Sequence, residues 1–417
     1  MKTTNIIFFL FVTHFSSWSQ NTIKTEIPCT DEILYKTPGR WLTNYGGLLD
    51  NGSEYLGFKK AQVKETTNRM DAVREMMFKI YPEPTGVDVA WHHTIGSSSF
   101  GEQVRYVKNS QGVLNREALV VKQVASFGFV SGFFRHYCNT NNPKEIWRGY
   151  PGETGTWTYV HSNTLGGETS DGGITIGGYP VCLRQPLIEK LGDFELLGIV
   201  DATLKISTGG ITRSVIVHRK GMLPYIPVTR KQYLDKCIPI VTAFWDESIK
   251  ATEDMPVRSL GEQEAEKKTT IAKMEKDYAW NPSGMKAAID NYLAGYRTEQ
   301  EVRDEQVKKI RLDKEEVLKQ YQGELEKTTK EGLLDAPAIV PFFCNRIPGD
   351  SPIFVDEKDG WMVVIQNPDY MRKDLPKYVP QLFVVSWRWN GWKPQADIAK
   401  LIEEKFPFDR LQAMIDK

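Results

Sequence analysis

Trp157, Tyr159 and His161 alternate with Thr158 and Val160, so a β-strand here sets two aromatic rings and an imidazole on one face. Carboxylates flank them. Glu153 lies in Tyr150-Pro151-Gly152-Glu153-Thr154-Gly155 before the stretch, and Glu168 and Asp171 lie among Gly166, Gly167, Gly172 and Gly173 after it. Rings offer apolar area for stacking and carboxylates accept hydrogen bonds from hydroxyls, a combination suited to a sugar. Trp157, Tyr159 and Glu153 are therefore the candidate ligand-binding residues. Two carboxyl groups about 5–10 Å apart could also act as the acid and the base or nucleophile of a glycosidase. On that reading Glu153, Glu168 and Asp171 are the candidate catalytic residues, with His161 as an alternative proton carrier. The competing reading puts Trp157 and Tyr159 in the core, where aromatic strand residues usually pack.

Other chemistry is thinner. His92 and His93 are neighbours, so on a strand they point to opposite faces and cannot serve one site. His136 and His218 lie in strand-like runs, where a neutral imidazole bonded to backbone is commonplace. Convergence of His92, His93, His136 and His161 on a metal with Glu168 or Asp171 would need the fold to assemble it. The sequence holds no H-E-x-x-H, G-x-S-x-G or P-loop pattern. Cys29, Cys138, Cys182, Cys237 and Cys344 are scattered, with no C-x-x-C among them. No metal and no cofactor is expected. An odd count leaves at least one thiol unpaired, and buried thiols with room for one bridge fit best. His136 and Cys138 share a face but lack a third, orienting group for nucleophilic catalysis.

The elements that position these residues follow from periodicity. Met70, Val73, Met76, Met77 and Ile80 recur at three- and four-residue steps, predicting a helix over 67–81 that Pro82 ends. Residues 103–108, 118–125 and 127–138 read as strands. Ala202–Ile206 and Ile211–Arg219 read as a hairpin turning at Thr208-Gly209-Gly210. Thr229-Arg230-Lys231-Gln232 is a capping box that starts a helix reaching Cys237, followed by an apolar stretch to Trp245. From Glu253 to Leu334 the composition turns to Lys, Glu, Gln and Ala, broken at Asn281-Pro282-Ser283-Gly284 into two arms of a helical hairpin. Val307, Ile310, Val317 and Tyr321 sit near heptad seam positions that Lys314 interrupts. Residues 298–330 could thus join two copies, or pack within one chain. Near the C-terminus, 361–366 and 381–389 read as strands, 395–405 as an amphipathic helix and 408–415 as a short one. Phe383, Val385, Trp387 and Trp389 share one strand face, and apolar Leu382 and Val384 opposite mark that strand as core.

The fold class is α+β: a β-rich N-terminal part with flanking helices (20–250), a coiled-coil-like helical-hairpin insertion (251–335) and a small α/β C-terminal part (336–417) that could pack back on the first. Lys+Arg and Asp+Glu are both 53 in 417 residues, so no net field recruits nucleic acid. Residues 1–19 read as a signal peptide. Lys2 gives a basic start, Ile6–Val12 an apolar run too short for a span of about 20 residues, and Ser17-Trp18-Ser19 a cleavage site before Gln20. No later stretch suits a transmembrane span. The expectation is an exported protein, periplasmic or extracellular. It would bind a glycan or cell-envelope component without catalysis, with a secreted hydrolase or an assembly spacer acting through the helical arms as alternatives.

Overall fold

The computed structural model describes residues 22–42, 48–98, 103–108, 114–118, 124–148, 156–165, 170–198, 210–342, 352–372 and 374–417. The segment 1–19 read as a signal peptide, the strand expected at 202–206, Glu153, Glu168 and Cys344 lie outside the described residues. Contacts divide the chain into two compact units, one running to Pro227 and resuming over Val355–Lys417, the other spanning Val228–Phe354.

The first unit begins with β1 (Thr22–Lys24), α1 (Asp31–Lys36), β2 (Trp41–Leu42), β3 (Leu48–Asp50) and α2 (Lys60–Ile80). The strands β4 (Val87–Ser98), β5 (Val104–Lys108), β6 (Leu114–Ala118), β7 (Val124–Cys138), β8 (Glu145–Arg148) and β9 (Thr156–Ser162) follow. Next come β10 (Ser170–Ile176), β11 (Tyr179–Arg184), β12 (Leu187–Leu191), β13 (Phe194–Gly198), β14 (Ile211–Val217) and β15 (Tyr225–Pro227). The second unit holds α3 (Arg230–Glu253), α4 (Leu260–Asp277), α5 (Pro282–Gly295), α6 (Glu299–Lys330) and β16 (Ile339–Pro341). The chain then returns to the first unit with β17 (Gly360–Gln366), β18 (Phe383–Trp389), α7 (Lys393–Lys405) and α8 (Phe408–Gln412). The class is mixed α+β.

An eleven-stranded sheet dominates the first unit, in the order β1-β8-β7-β9-β18-β14-β13-β12, with β4 on β7 and the short β2 and β3 on β4. Strand β18, from the far end of the chain, lies antiparallel between β9 and β14. One side of the sheet is covered by helices. Phe129, Phe133, Val160, Val215, Phe383, Val385, Trp387 and Trp389 meet Val73, Met76 and Met77 of α2 and Ile398, Ala399 and Ile402 of α7. Each such side chain contributes roughly 1.5–3 kcal/mol of burial, and the Phe383–Trp389 face is core, as its apolar reverse side requires. On the other side Val384, Ile216, Leu197 and Leu382 pack with Tyr225, Val364 and Tyr370, from the smaller sheet β10-β11-β17-β15 and the segment after it.

Helix α2 starts two turns before the expected 67. The backbone N–H of Lys59 donates to Gln62 Oε1 at 2.7 Å, and Val63 joins a cluster of Leu56, Met70, Ile95 and Phe127. This second patch buries the extra turns. The 127–138 strand begins earlier too, as one fifteen-residue β7, while β14 pairs with β13 and β18.

In the second unit the Thr229 cap forms as the sequence predicts, with Gln232 N–H donating to Thr229 Oγ1 at 3.2 Å and Thr229 N–H to Gln232 Oε1 at 3.0 Å. Helix α3 does not stop at Cys237; it runs through Pro239 to Glu253. The missing N–H of a proline costs one backbone bond, and packing along α6 offsets it. The two expected arms are three helices, α4, α5 and α6, and the lengthened α3 packs with them, α3 against α6 and α4 against α5. Val307, Val317 and Tyr321 are the buried apolar residues of α6. Lys314, which interrupts that seam, donates to Asp246 of α3 at 2.5 Å, and Arg311 pairs with Glu253 at 2.7 Å.

Candidate functional site

Strand β9 presents two different faces. Thr156, Thr158, Val160 and Ser162 are buried, whereas Trp157, Tyr159 and His161 are half-buried on the side away from the helices. The end of the strand is fixed by Asn163, whose φ of 55° is a conformation Asn tolerates better than most residues. Its side-chain amide donates to the carbonyls of Ala125 (2.9 Å) and Val379 (3.1 Å), and its Oδ1 accepts from Gln381 N–H at 2.7 Å. Ser162 exchanges hydrogen bonds with the backbone of Phe127.

The three rings form a ladder. Trp157 and Tyr159 meet edge-to-face with centroids 4.3 Å apart, and Tyr159 and His161 likewise at 5.4 Å. Such geometry suits the positive edge and negative face of aromatic rings. Register places Ala90, Gly132, Trp157 and Arg388 in one row of this face, and His92, Val130, Tyr159 and Ser386 in the next. The third row is Thr94, Gly128, His161 and Val384. The ladder thus stands beside Gly128 and Gly132, with His92 and Thr94 one strand beyond.

Burial, and then the charge of His92, pushes the His161 imidazole down to about 4. Burial, and then His93, does the same to His92, also to about 4. Burial raises the Tyr159 phenol. At neutral pH these groups are therefore uncharged donors and acceptors, and the rings supply apolar area. His161 Nε2 is closed to solvent, so the part of this surface that can meet a neutral ring is that of Trp157 and Tyr159.

Of the other candidates, Asp171 falls in β10, a strand of the smaller sheet, and its side chain lies outside the described residues, as Glu153 and Glu168 do. His92 and His93 point to opposite faces as their adjacency demands. His93 is buried on the helix side, 3.8 Å from Asp71. Among the described residues no group of three or more His, Cys, Asp or Glu is placed to hold a metal ion.

His136 and Cys138 are not a nucleophile pair, because Cys138 is bonded to Cys29 across 109 positions of sequence. His136, fully buried, instead faces Asp88, with Nε2 3.4 Å from Oδ1. Arg148 Nη1 donates to both Asp88 oxygens at 2.7 and 2.9 Å, and Arg40 N–H donates at 3.1 Å. Burial pushes the Asp88 carboxyl up, but bonds from His136 and Arg148 outweigh it and hold it below its ordinary value. Asp88 is 3% exposed, so this cluster ties the sheet together and is closed to a substrate. Nothing in the sequence links three residues so far apart, and only the β4–β7–β8 register joins them.

Two shallow recesses lie elsewhere, one of about 380 Å³ along α6 near Arg303 and Arg311, the other of about 600 Å³ around the Asp50–Tyr55 turn. Neither includes a ladder residue. The chain matches no family model, no curated protein and no solved structure, so the site is read from its own chemistry.

Proposed function

We propose that this is an exported, non-catalytic binding protein that holds a glycan or another neutral, ring-bearing component of the cell envelope against Trp157 and Tyr159, with Glu153 contributing from the adjoining segment. The observation that carries the reading is the Trp157–Tyr159–His161 ladder. Its three rings stand half-buried on the sheet side opposite the helix-packed core, kept neutral and fixed at one end by Asn163. Trp387 and Phe383, by contrast, are buried in the helix-packed core.

Two further features support export. The Cys29–Cys138 bridge suits an oxidising compartment, and the 1–19 segment has the composition of a cleaved leader. Among the described residues no helix is long and apolar enough to cross a membrane.

The test is Trp157→Ala, screened against a glycan array and then by calorimetry on any hit. Loss of binding at least tenfold, with a melting temperature within about 2 °C of the parent, is the expected result. A large drop in melting temperature would show that the indole is a packing residue and remove the proposal.

A further inference from the structure

The helix-covered side of the large sheet is mostly apolar, but three adjoining rows carry buried polar residues at His93, at Ser131 and Thr158, and at Thr156. Register sets His93, Phe129, Val160, Val385 and Val215 in one row across five strands. Four residues along, Val89, Phe133 and Thr156 form another. Between these rows run Trp91, Ser131, Thr158 and Trp387, each opposite the next. Ser131 and Thr158 are completely buried and Thr156 is 3% exposed. The Ser131, Thr156 and Thr158 hydroxyls and the Trp91 indole N–H have no hydrogen-bond partner in the protein.

Burying a hydroxyl without a partner is unfavourable, and native interiors carry few such groups, not several side by side. Apolar substitutes were open to the sequence, since the rows on either side use Val and Phe. Helix α2 rests on β7, α7 rests on β18, and the two helices touch. Strand β9 lies between β7 and β18, so Thr158 sits beneath the line where the helices meet. Ser131 and Thr158 are directly opposed on adjacent strands, yet their hydroxyls do not bond each other, which leaves both free for one bridging molecule.

We infer that this row is an internal hydration site, in which buried water accepts from Trp91 Nε1 and bridges the Ser131 and Thr158 hydroxyls. A guest here must both accept and donate, must be neutral because the three groups are uncharged, and must make two to four bonds in a small space; water meets these conditions. The site lies behind the ladder, on the opposite face of the same strand β9, and does not depend on what the ladder binds.

Oxygen-17 magnetic relaxation dispersion on the whole protein counts waters held longer than molecular tumbling. Comparison of the parent with Ser131→Ala/Thr158→Val should show the loss of at least one such water. Thr158→Val alone, nearly isosteric, should melt lower by about 2–4 °C, because the water loses an anchor while Ser131 and Trp91 stay buried. An unchanged water count overturns the inference. So does a rise in melting temperature for Thr158→Val, the signature of removing a dry, unsatisfied hydroxyl. If the double variant does not fold, the sign of the single-variant shift decides alone.

Discussion

Gly128 and His161 face each other in the β7–β9 ladder, and the imidazole lies across the glycine so closely that a β-carbon there would stand 2.2 Å from ring Cδ2. The same β-carbon would be 2.7 Å from the carbonyl oxygen of Val160, which is backbone and cannot step aside. The aromatic ladder therefore depends on a position with no side chain one strand away. Gly128→Ala should cost about 1–3 kcal/mol through overpacking and displace the His161 ring. Denaturant melts measure the first effect and imidazole resonances the second; unchanged resonances would contradict the stacking described above.

The pH dependence has a definite sign. His92 and His161 are pushed to about 4 from an ordinary 6.5, and His93 is lowered as well, mainly by burial. Over that interval the unfolded chain binds more protons than the folded one, so stability rises with pH. It is complete above 6.5 and declines as pH falls towards 4. The depressed Asp88 acts in the same direction at lower pH, below its ordinary 3.8. His161→Gln should flatten the upper part of the profile and leave the Asp88 part intact. A profile equally steep between 6.5 and 4 in this variant would show that His161 is not a titrating contributor.

Arg148 neutralises a carboxylate that is otherwise closed in. Its side chain is 19% exposed against 4% for that of Asp88, so Arg148→Met leaves a buried charge with His136, the Arg40 N–H and, at 3.9 Å, the Arg40 guanidinium as partners. Loss of one member of such a pair costs about 3–5 kcal/mol. Asp88→Asn combined with Arg148→Met should recover part of that loss, since a neutral amide needs no counter-ion. Additive losses in the double-mutant cycle would mean that the two side chains do not interact.

Local pattern explains what the sequence revealed of this fold. The spacing of Met70, Val73, Met76 and Met77 places α2, Thr229 and Gln232 place the start of α3, and period two puts Trp157, Tyr159 and His161 on one face. Each of these is settled within a few residues. The run of α3 through Pro239 is not, because packing on α6, dozens of residues away, overrides the local cost. Nor is the position of β18 between β9 and β14, which requires the chain to return after the whole second unit. The Asp88–His136–Arg148 cluster and the choice of Cys29 for Cys138 are likewise long-range pairings. Of the candidate site, the ring ladder was legible for that reason, whereas its floor at Gly128 and its neighbour His92 belong to other strands.

The disulfide and the leader proposed for residues 1–19 make one joint prediction about where the chain matures. Cys29 and Cys138 close a loop of 109 positions, and removing such a bridge typically costs 2–5 kcal/mol, in large part by freeing the unfolded state. Cys29→Ser/Cys138→Ser should therefore melt well below the parent, and the parent treated with reductant should approach it. The bridge is retained only outside a reducing cytoplasm, while Ser17 and Ser19 fit the small pockets of a leader peptidase. Expressed with its first residues intact in a compatible secreting bacterium, the chain should begin at Gln20 or within a few residues of it. Non-reducing peptide mapping of that exported fraction should recover Cys29 linked to Cys138. Leu10→Arg, by interrupting the apolar run, should leave uncleaved and reduced precursor in the cytoplasm. A parent chain that keeps Met1, stays in the cytoplasm and carries both cysteines as thiols would refute export, and with it an envelope ligand for the Trp157 ladder.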